Sequence, residues 1–199
     1  HCLNVKYGGG LLELHTGWGK TCAGLYIASK LKKKTIIIVH KEFLMNQWIE
    51  RIKFALPMAR VGIVQGDKCE IENSDIIIGM LQTISMKDFA SDAFDEIGHV
   101  IIDECHRIPS RVFSQALLKI NSNYMLGLSA TPNRKDGLTK VLKYYVGDII
   151  FSVKSNEKKN IIEPGSQKAW EFLAEKSLNQ QLHIFIFSEE VNTHYVFNK

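Results

Sequence analysis

The sequence lacks the marks of a secreted, membrane-spanning or zinc-stabilised protein. Its four cysteines stand at positions 2, 22, 69 and 105, so no pair has C-x-x-C spacing and no histidine pair completes a zinc set. No apolar run approaches the ~18 residues of a membrane-spanning helix, and no signal peptide opens the chain. Internal repeats and low-complexity tracts are also absent. These absences favour an intracellular protein whose thiols are reduced.

The chain does have enough length for one sizeable domain. Its 199 residues fit one domain and the start of a second. A domain of ~150 residues buries roughly 70% of its unfolded surface, so it needs no disulfide for stability. The net charge of +4 permits nucleic-acid binding without demonstrating it. Because the first residue is His1 rather than methionine, we expect a fragment of a longer protein.

Apolar runs alternate with helical spacings along the first 153 residues. The run TIIIV at 35–39 is typical of a strand covered on both faces, as in a parallel sheet. The predicted strands cover 11–14, 35–39, 61–64, 75–78, 100–102, 124–128 and 149–153. Helical patterns follow the first, second and fifth of these, over 22–28, 43–52 and 113–120. This alternation predicts an α/β fold, a doubly wound and mostly parallel sheet with helices on both faces.

The composition changes after residue 153. The polar segment KSNEKKN at 154–160 is predicted to be a linker. Residues 161–199 contain a helical pattern near 169–173 and a strand pattern at 182–187. We therefore predict a domain over 1–153, a linker over 154–160 and an extension over 161–199. The extension is either the start of a second domain or unrelated sequence that packs on the first.

A glycine loop follows the first predicted strand and opens the first helix. Such a loop lets successive backbone N–H groups point at one phosphate, and the positive end of the helix dipole adds to them. Lys20 would reach the β- and γ-phosphates, and the Thr21 hydroxyl would bind Mg²⁺. The strict pattern has glycine where this chain has Leu14, so a plain strand-to-helix turn with a solvated lysine stays open. The predicted ATP-binding residues are Thr16, Gly17, Trp18, Gly19, Lys20 and Thr21.

Two carboxylates follow the buried strand at 100–102. Asp103 would hold Mg²⁺ through water beside the Thr21 hydroxyl, and Glu104 would accept a proton from the attacking water or orient it. The alternative is a polar strand end. Because ligands of such sheets bind beyond the carboxyl ends of the strands, we expect Lys20, Asp103 and Glu104 to form one catalytic site.

Three motifs in order carry a resemblance to a known family. They are Thr16 to Thr21 (TGWGKT), Asp103 to His106 (DECH) and Ser129 to Thr131 (SAT). They resemble motifs I, II and III of superfamily 2 helicases of the DExH type, especially XPB-like helicases and helicases of large DNA viruses. The resemblance covers roughly residues 8–153. It implies the first RecA-like motor domain, a P-loop NTPase, of an ATP-dependent helicase or translocase that uses ATP and Mg²⁺.

The resemblance also implies contacts with a nucleic-acid backbone. His40 and Lys41 resemble motif Ia, and Gly79 and Thr83 resemble motif Ib. Contacts of this kind bind without sequence preference and weaken with salt. An ordinary loop at His40 and Lys41, and a helix cap at Thr83, stay open as alternatives.

Further residues would couple the ATP state to the grip on nucleic acid. The coupling residues implied by the resemblance are His106, Ser129, Ala130 and Thr131. Arg134 sits where XPB-like proteins carry an Arg-Glu-Asp motif implicated in duplex opening, but Lys135 reverses its central charge. A solvated loop charge is the alternative for Arg134.

One part of the family's machinery is missing from this sequence. The family hydrolyses ATP between two RecA-like domains, and the second supplies arginines, each worth about 10³–10⁵ in rate in comparable enzymes. No arginine follows Arg134. The resemblance thus implies a partner domain, and the isolated chain is predicted to be weak or inactive. Three alternatives stay open: a binding module without turnover, a duplex translocase of restriction or remodeller type, and RNA rather than DNA as substrate. The implied location is the cytoplasm, the nucleus or a viral replication site.

Overall fold

The computed structural model describes residues 8–107, 110–131 and 138–153. Its strands are β1 Gly9–Leu14, β2 Thr35–Val39, β3 Val61–Gln65, β4 Lys68–Cys69, β5 Ile76–Met80, β6 His99–Ile102, β7 Tyr124–Ser129 and β8 Ile149–Val153. Its helices are α1 Lys20–Leu31, α2 Glu42–Ala55, α3 Leu81–Met86, α4 Ser110–Leu117 and α5 Leu138–Val146, with a 3₁₀ turn at Cys105–Arg107. None of the described helices is both long and apolar enough to cross a membrane.

The eight strands within the described residues form one sheet in the order β4-β3-β5-β2-β6-β7-β1-β8. Every pairing is parallel except that of β4 with β3. The predicted doubly wound, mostly parallel α/β fold is therefore confirmed. The order makes β5, β2, β6, β7 and β1 consecutive neighbours, and each of these strands leads into one of the predicted motifs. Their carboxyl ends therefore lie at one edge of the sheet, which is where ligands of doubly wound sheets bind.

The hydrophobic core lies in two layers, one on each face of the sheet. Along β2, Ile37 and Val39 pack into one layer, while Ile36 and Ile38 pack into the other. Helices α1 and α2 cover the first layer, and helices α3, α4 and α5 cover the second. Both faces of β2 are therefore buried, which is why its sequence is a continuous β-branched run rather than an alternation.

The sequence patterns did not predict β4, α3 or α5, and they placed the end of α4 too late. Strand β4 has two residues and helix α3 has six, and both are too short to show a period. Helix α5 was not predicted. Helix α4 ends at Leu117, so Ile120 is buried in the segment that follows it rather than within the predicted helix. The predicted linker over 154–160 and extension over 161–199 lie outside the described residues.

A buried histidine makes the stability of this sheet dependent on pH. His99 begins β6, is 1% exposed, and its Nδ1 lies 3.3 Å from the Thr35 hydroxyl oxygen. Burial lowers the pKa of His99 to about 3, whereas an unfolded chain has a histidine pKa near 6.5. Below pH 6.5 the unfolded state therefore binds a proton that the native state does not. The contribution of neutral His99 to the free energy of unfolding is then fully present above pH 6.5 and is lost as the pH falls toward 3.

We predict that wild type loses roughly 2 kcal/mol more unfolding free energy than His99→Gln between pH 7 and pH 5. The measurement is urea unfolding at both pH values, and the difference between the two proteins isolates the histidine from the carboxylates. Parallel pH dependences for the two proteins would show that His99 is protonated in the native state.

Candidate nucleotide-binding site

The loop between β1 and α1 is shaped to hold an anion. Gly17 has φ 88° and Gly19 has φ 75°, left-handed values that favour glycine. Gly19 is the N-cap of α1, and its carbonyl accepts the N–H of Ala23 at 2.9 Å. Within the loop, the Trp18 N–H donates to the His15 carbonyl at 3.2 Å. No acidic side chain lies in the first turn of α1, so its positive end is available to a phosphate.

Lys20 and Glu104 bring the glycine loop and the acidic motif together. The Lys20 ammonium is hydrogen-bonded and ion-paired to Glu104 Oε1, although the two residues are 84 positions apart. Their side chains are 11% and 19% exposed, so the pair is only partly shielded from water. The other oxygen, Glu104 Oε2, lies 3.3 Å from His106 Nδ1. The predicted neighbourhood of Lys20 and Glu104 is thus present in the structure.

Asp103 is the most buried of the site carboxylates. It is 6% exposed and accepts two hydrogen bonds. Its Oδ1 accepts the Glu104 backbone N–H at 2.9 Å, and its Oδ2 accepts the Trp48 indole N–H at 2.9 Å. Burial raises the pKa of Asp103, while the hydrogen bond from Trp48 and the charge of Lys20 act in the opposite direction. A cation bound here would favour the ionised carboxylate.

The oxygen atoms near the Lys20–Glu104 pair suit a Mg²⁺ ion that is also bound by water and phosphate, rather than a metal ion held entirely by protein side chains. Within the described ranges no group of three or more His, Cys, Asp and Glu side chains could hold a metal ion. Mg²⁺ is usually bound through one or two protein oxygens, several waters and substrate phosphates. Thr21 at the start of α1 and Asp103 after β6 supply that kind of donor set.

The acidic motif contacts the end of β7 directly. The Ser129 hydroxyl forms a 2.9 Å hydrogen bond with His106 Nδ1, and the Thr131 N–H donates to Ser129 Oγ at 3.1 Å. Ser129 is fully buried, and Ala130 and Thr131 follow it along the chain. Three of the four predicted coupling residues, His106, Ser129 and Thr131, are therefore joined by hydrogen bonds that connect the acidic motif to the end of β7.

Cys105 belongs to this motif and is fully buried. Burial raises the pKa of its thiol to about 12, so it stays protonated. Its sulfur lies 3.4 Å from where a Cβ on Gly127 would stand, so it fills the core beside β7. Among the described cysteines, Cys22, Cys69 and Cys105 are free thiols.

The predicted nucleic-acid residues have different surroundings. Lys41 is exposed at the N-cap of α2, and the carbonyl of its neighbour His40 lies 3.4 Å from Gln82 Nε2, a hydrogen-bond donor on α3. Gly79 is buried in β5 between β2 and β3, and a Cβ there would lie 2.5 Å from Ile84. Gly79 is therefore tightly packed within the sheet, and the nucleic-acid contact there stays a prediction.

Thr83 is not a helix cap. It is the third residue of α3, and its hydroxyl accepts the Gly66 N–H at 3.0 Å. Lys87 donates to the Gly66 carbonyl at 3.1 Å. These bonds attach the turn between β3 and β4 to α3. Arg134, the last predicted nucleic-acid residue, lies outside the described residues.

Trp48 lies within the helical pattern predicted over 43–52, and the sequence did not indicate its bond to Asp103. Trp48 is 1% exposed and fills the layer under α2, as its spacing predicts. A buried indole N–H usually has a partner, so the sequence favoured an acceptor near Trp48. It could not say that the acceptor was a carboxylate 55 residues away.

Comparisons with known proteins identify the family of this chain. The family described as "Type III restriction enzyme, res subunit" matches residues 3–134. Protein L396 of Acanthamoeba polyphaga mimivirus, named as an ATP-dependent RNA helicase, is 37% identical over 155 residues, which are 78% of this chain and 30% of that protein. Protein QP509L of African swine fever virus (isolate Pig/Kenya/KEN-50/1950), named likewise, is 34% identical over 147 residues, 71% of this chain and 28% of that protein. The chain thus spans about 30% of these relatives.

Solved structures show the same fold. The UvsW helicase of bacteriophage T4 matches with a TM-score of 0.60 at 20% identity, over 72% of this chain and 54% of that one. The Sulfolobus solfataricus SWI2/SNF2 ATPase core, solved in complex with dsDNA, matches with a TM-score of 0.55 at 20% identity, over 86% and 38%. The predicted RecA-like fold and family are confirmed. This chain belongs to the type III restriction enzyme res subunit family, and it carries the first RecA-like domain of a superfamily 2 helicase.

Proposed function

We propose that this chain is the Mg²⁺-ATP-binding half of a motor that uses ATP hydrolysis to move along nucleic acid. The observation that supports this most strongly is the contact between Lys20 and Glu104 at the edge where β1 and β6 end. It joins the phosphate loop to the acidic motif, and Asp103 lies beside both. The names of the viral relatives, which include ATP-dependent helicases, point the same way.

Each site residue then has a distinct role. The loop N–H groups from Thr16 to Lys20 would bind the phosphates, and the Lys20 ammonium would exchange Glu104 for the γ-phosphate oxygens. Thr21 and Asp103 would hold Mg²⁺, which neutralises charge on the β- and γ-phosphates when bound. Released from Lys20, the Glu104 carboxylate would orient the attacking water and accept its proton.

The connection from His106 to Ser129 is proposed to couple the two activities. His106 lies within 3.3 Å of Glu104 and is hydrogen-bonded to Ser129, so a change at the γ-phosphate reaches the end of β7 through one imidazole. His40 and Lys41, at the start of α2, would contact the nucleic-acid backbone on the same edge of the sheet. Lys41 is exposed and positively charged, which suits a phosphate contact.

The missing parts of the motor are also proposals. A second RecA-like domain would follow the domain at 1–153, across the segment 154–160, and would supply the arginines that stabilise the transferring phosphoryl group. DNA is the proposed substrate, as the resemblance to XPB-like helicases implies. RNA is the alternative, because the viral relatives are named as RNA helicases. An intracellular location is proposed with these substrates.

The test uses the full-length protein with Mg²⁺ and ATP. Strand displacement is measured on DNA and RNA duplexes with single-stranded tails, and translocation is measured in parallel by displacement of streptavidin from a biotinylated duplex. We expect ATP-dependent activity in at least one assay, and its loss in Lys20→Ala. Translocation without strand displacement would favour a duplex translocase, as the restriction-enzyme family would suggest. Inactivity in both assays, with all substrates, would refute the proposed motor.

A further inference from the structure

The side chain of Trp48 lies where three parts of the nucleotide site meet. It belongs to α2, outside the phosphate loop and the acidic motif, and it is 1% exposed. Its indole N–H donates to Asp103 Oδ2 at 2.9 Å. The far side of the ring contacts α1, because a Cβ on Gly24 would lie only 3.1 Å from Trp48 Cη2. One side chain thus connects the phosphate-loop helix, the acidic motif and the helix that begins after His40 and Lys41.

The two hydrogen bonds to the Asp103 carboxylate differ in whether they can fix its orientation relative to the rest of the domain. The bond to Oδ1 comes from the N–H of the next residue, Glu104, and moves with the same loop. The bond to Oδ2 comes from another element and spans 55 positions of sequence. Of these two bonds, the one from Trp48 therefore fixes the orientation of the carboxylate relative to the rest of the domain. A carboxylate has about four lone-pair positions, so acceptor positions remain for waters around a cation.

Filling the core does not require an indole at this position. An indole N–H is a donor only, and burying it among apolar groups is unfavourable unless an acceptor meets it. Trp48 packs in an apolar layer with residues such as Ile52 and Met45, and its donor meets the carboxylate that the proposed mechanism assigns to Mg²⁺. Hydrogen bonds of this kind to a metal-binding carboxylate set its orientation.

We propose that Trp48 is a positioning residue for Mg²⁺ binding, because its indole N–H fixes the rotation of the Asp103 carboxylate. The inference rests on the proposed function, in which Asp103 helps to hold Mg²⁺. It implies that loss of the N–H weakens only the Mg²⁺-dependent part of nucleotide binding. The glycine loop and Lys20 bind phosphates whether or not the cation is present, so that part should remain.

The test compares wild type with Trp48→Phe in the full-length protein. ADP binding is measured by calorimetry with excess EDTA, and then as a function of Mg²⁺ concentration. We expect unchanged ADP affinity in EDTA and a Mg²⁺ half-saturation concentration at least about tenfold higher, since loss of an outer-shell hydrogen bond costs roughly 10–100-fold in metal affinity. The ATP hydrolysis rate at low Mg²⁺ should fall, and high Mg²⁺ should restore part of it.

Ile52→Val is the matched packing control. Ile52 lies one turn further along α2, is fully buried in the same layer, and the variant loses packing without losing a hydrogen bond to Asp103. Its Mg²⁺ dependence should equal that of wild type. If Trp48→Phe does not fold, benzothienylalanine at position 48 keeps the bicyclic shape and removes only the donor. Thermal unfolding of each variant shows how much stability was lost.

The outcomes separate this inference from the proposed function. An unchanged Mg²⁺ dependence in Trp48→Phe, or equal losses with and without Mg²⁺, would overturn the positioning role. The same Mg²⁺ shift in Ile52→Val would also overturn it, because general loosening of α2 would then explain the result. The proposed function fails separately if Lys20→Ala binds Mg²⁺-ADP as tightly as wild type.

Discussion

Replacing Lys20 with alanine in the full-length protein is expected to lower the ATP hydrolysis rate by about 10²–10³-fold or more. That range is typical when one preorganised donor to a developing negative charge is removed. Lys20 begins α1, lies next to the glycine loop, and carries the positive charge that contacts Glu104. Hydrolysis at saturating Mg²⁺-ATP is the measurement, together with nucleotide affinity, which should also weaken.

Lys33→Ala is the matched control for this prediction. Lys33 is an exposed lysine in the segment between α1 and β2, at the opposite edge of the sheet from the site. Its removal changes the net charge of the protein by the same amount without touching the phosphate loop. Hydrolysis by Lys33→Ala should match wild type. An unimpaired Lys20→Ala enzyme would mean that phosphate is bound elsewhere in the protein.

Replacing Glu104 with glutamine is expected to lower hydrolysis by about 10²–10⁴-fold while Mg²⁺-ATP binding persists. A positioned general base contributes rate enhancement of that order. Glutamine has nearly the same shape but cannot accept the proton of the attacking water. The substitution also removes the carboxylate that pairs with Lys20, so the ammonium is more available to phosphate. Single-turnover hydrolysis and equilibrium ATP binding measure the two effects separately.

Glu96→Gln tests whether any loss of a carboxylate has the same effect. Glu96 is 78% exposed in its ion pair with Lys34 and precedes β6, whereas Glu104 follows it. Glu96→Gln should hydrolyse ATP at the wild-type rate. If Glu104→Gln loses ATP binding and hydrolysis to the same degree, Glu104 is a structural partner of Lys20 rather than the base.

The fold could be predicted in large part because its strands are long and buried on both faces. The run at 35–39 was predicted with its observed bounds as β2, because five consecutive β-branched residues are typical of a strand that is buried on both faces. Ligands of such folds bind beyond the carboxyl ends of the parallel strands, and this rule predicted from the sequence that Lys20, Asp103 and Glu104 lie close together. The order of the eight strands was not predictable, because it depends on long-range pairing.

The features that the sequence did not indicate have a different cause. Gly79 was assigned to a nucleic-acid contact by resemblance, and no pattern indicated that its missing side chain makes room for Ile84. Glu104 adopts φ 48°, a left-handed conformation that is unusual for a residue with a side chain and that no local pattern indicates. The bond from Trp48 to Asp103 depends on how α2 packs against β2 and β5, because β2 is the neighbour of β6 in the sheet. Each of these features is set by tertiary contacts that leave no periodic signal in the sequence.

ATP hydrolysis by the full-length protein, measured with and without single-stranded nucleic acid at saturating Mg²⁺-ATP, tests the motor assignment most directly. If Lys20, Asp103 and Glu104 form the hydrolytic site, and His106 and Ser129 couple it to nucleic acid, hydrolysis requires Mg²⁺ and rises on addition of the nucleic acid. Hydrolysis that is absent under both conditions, or that is equally fast in both, would contradict a motor that couples ATP to movement on nucleic acid.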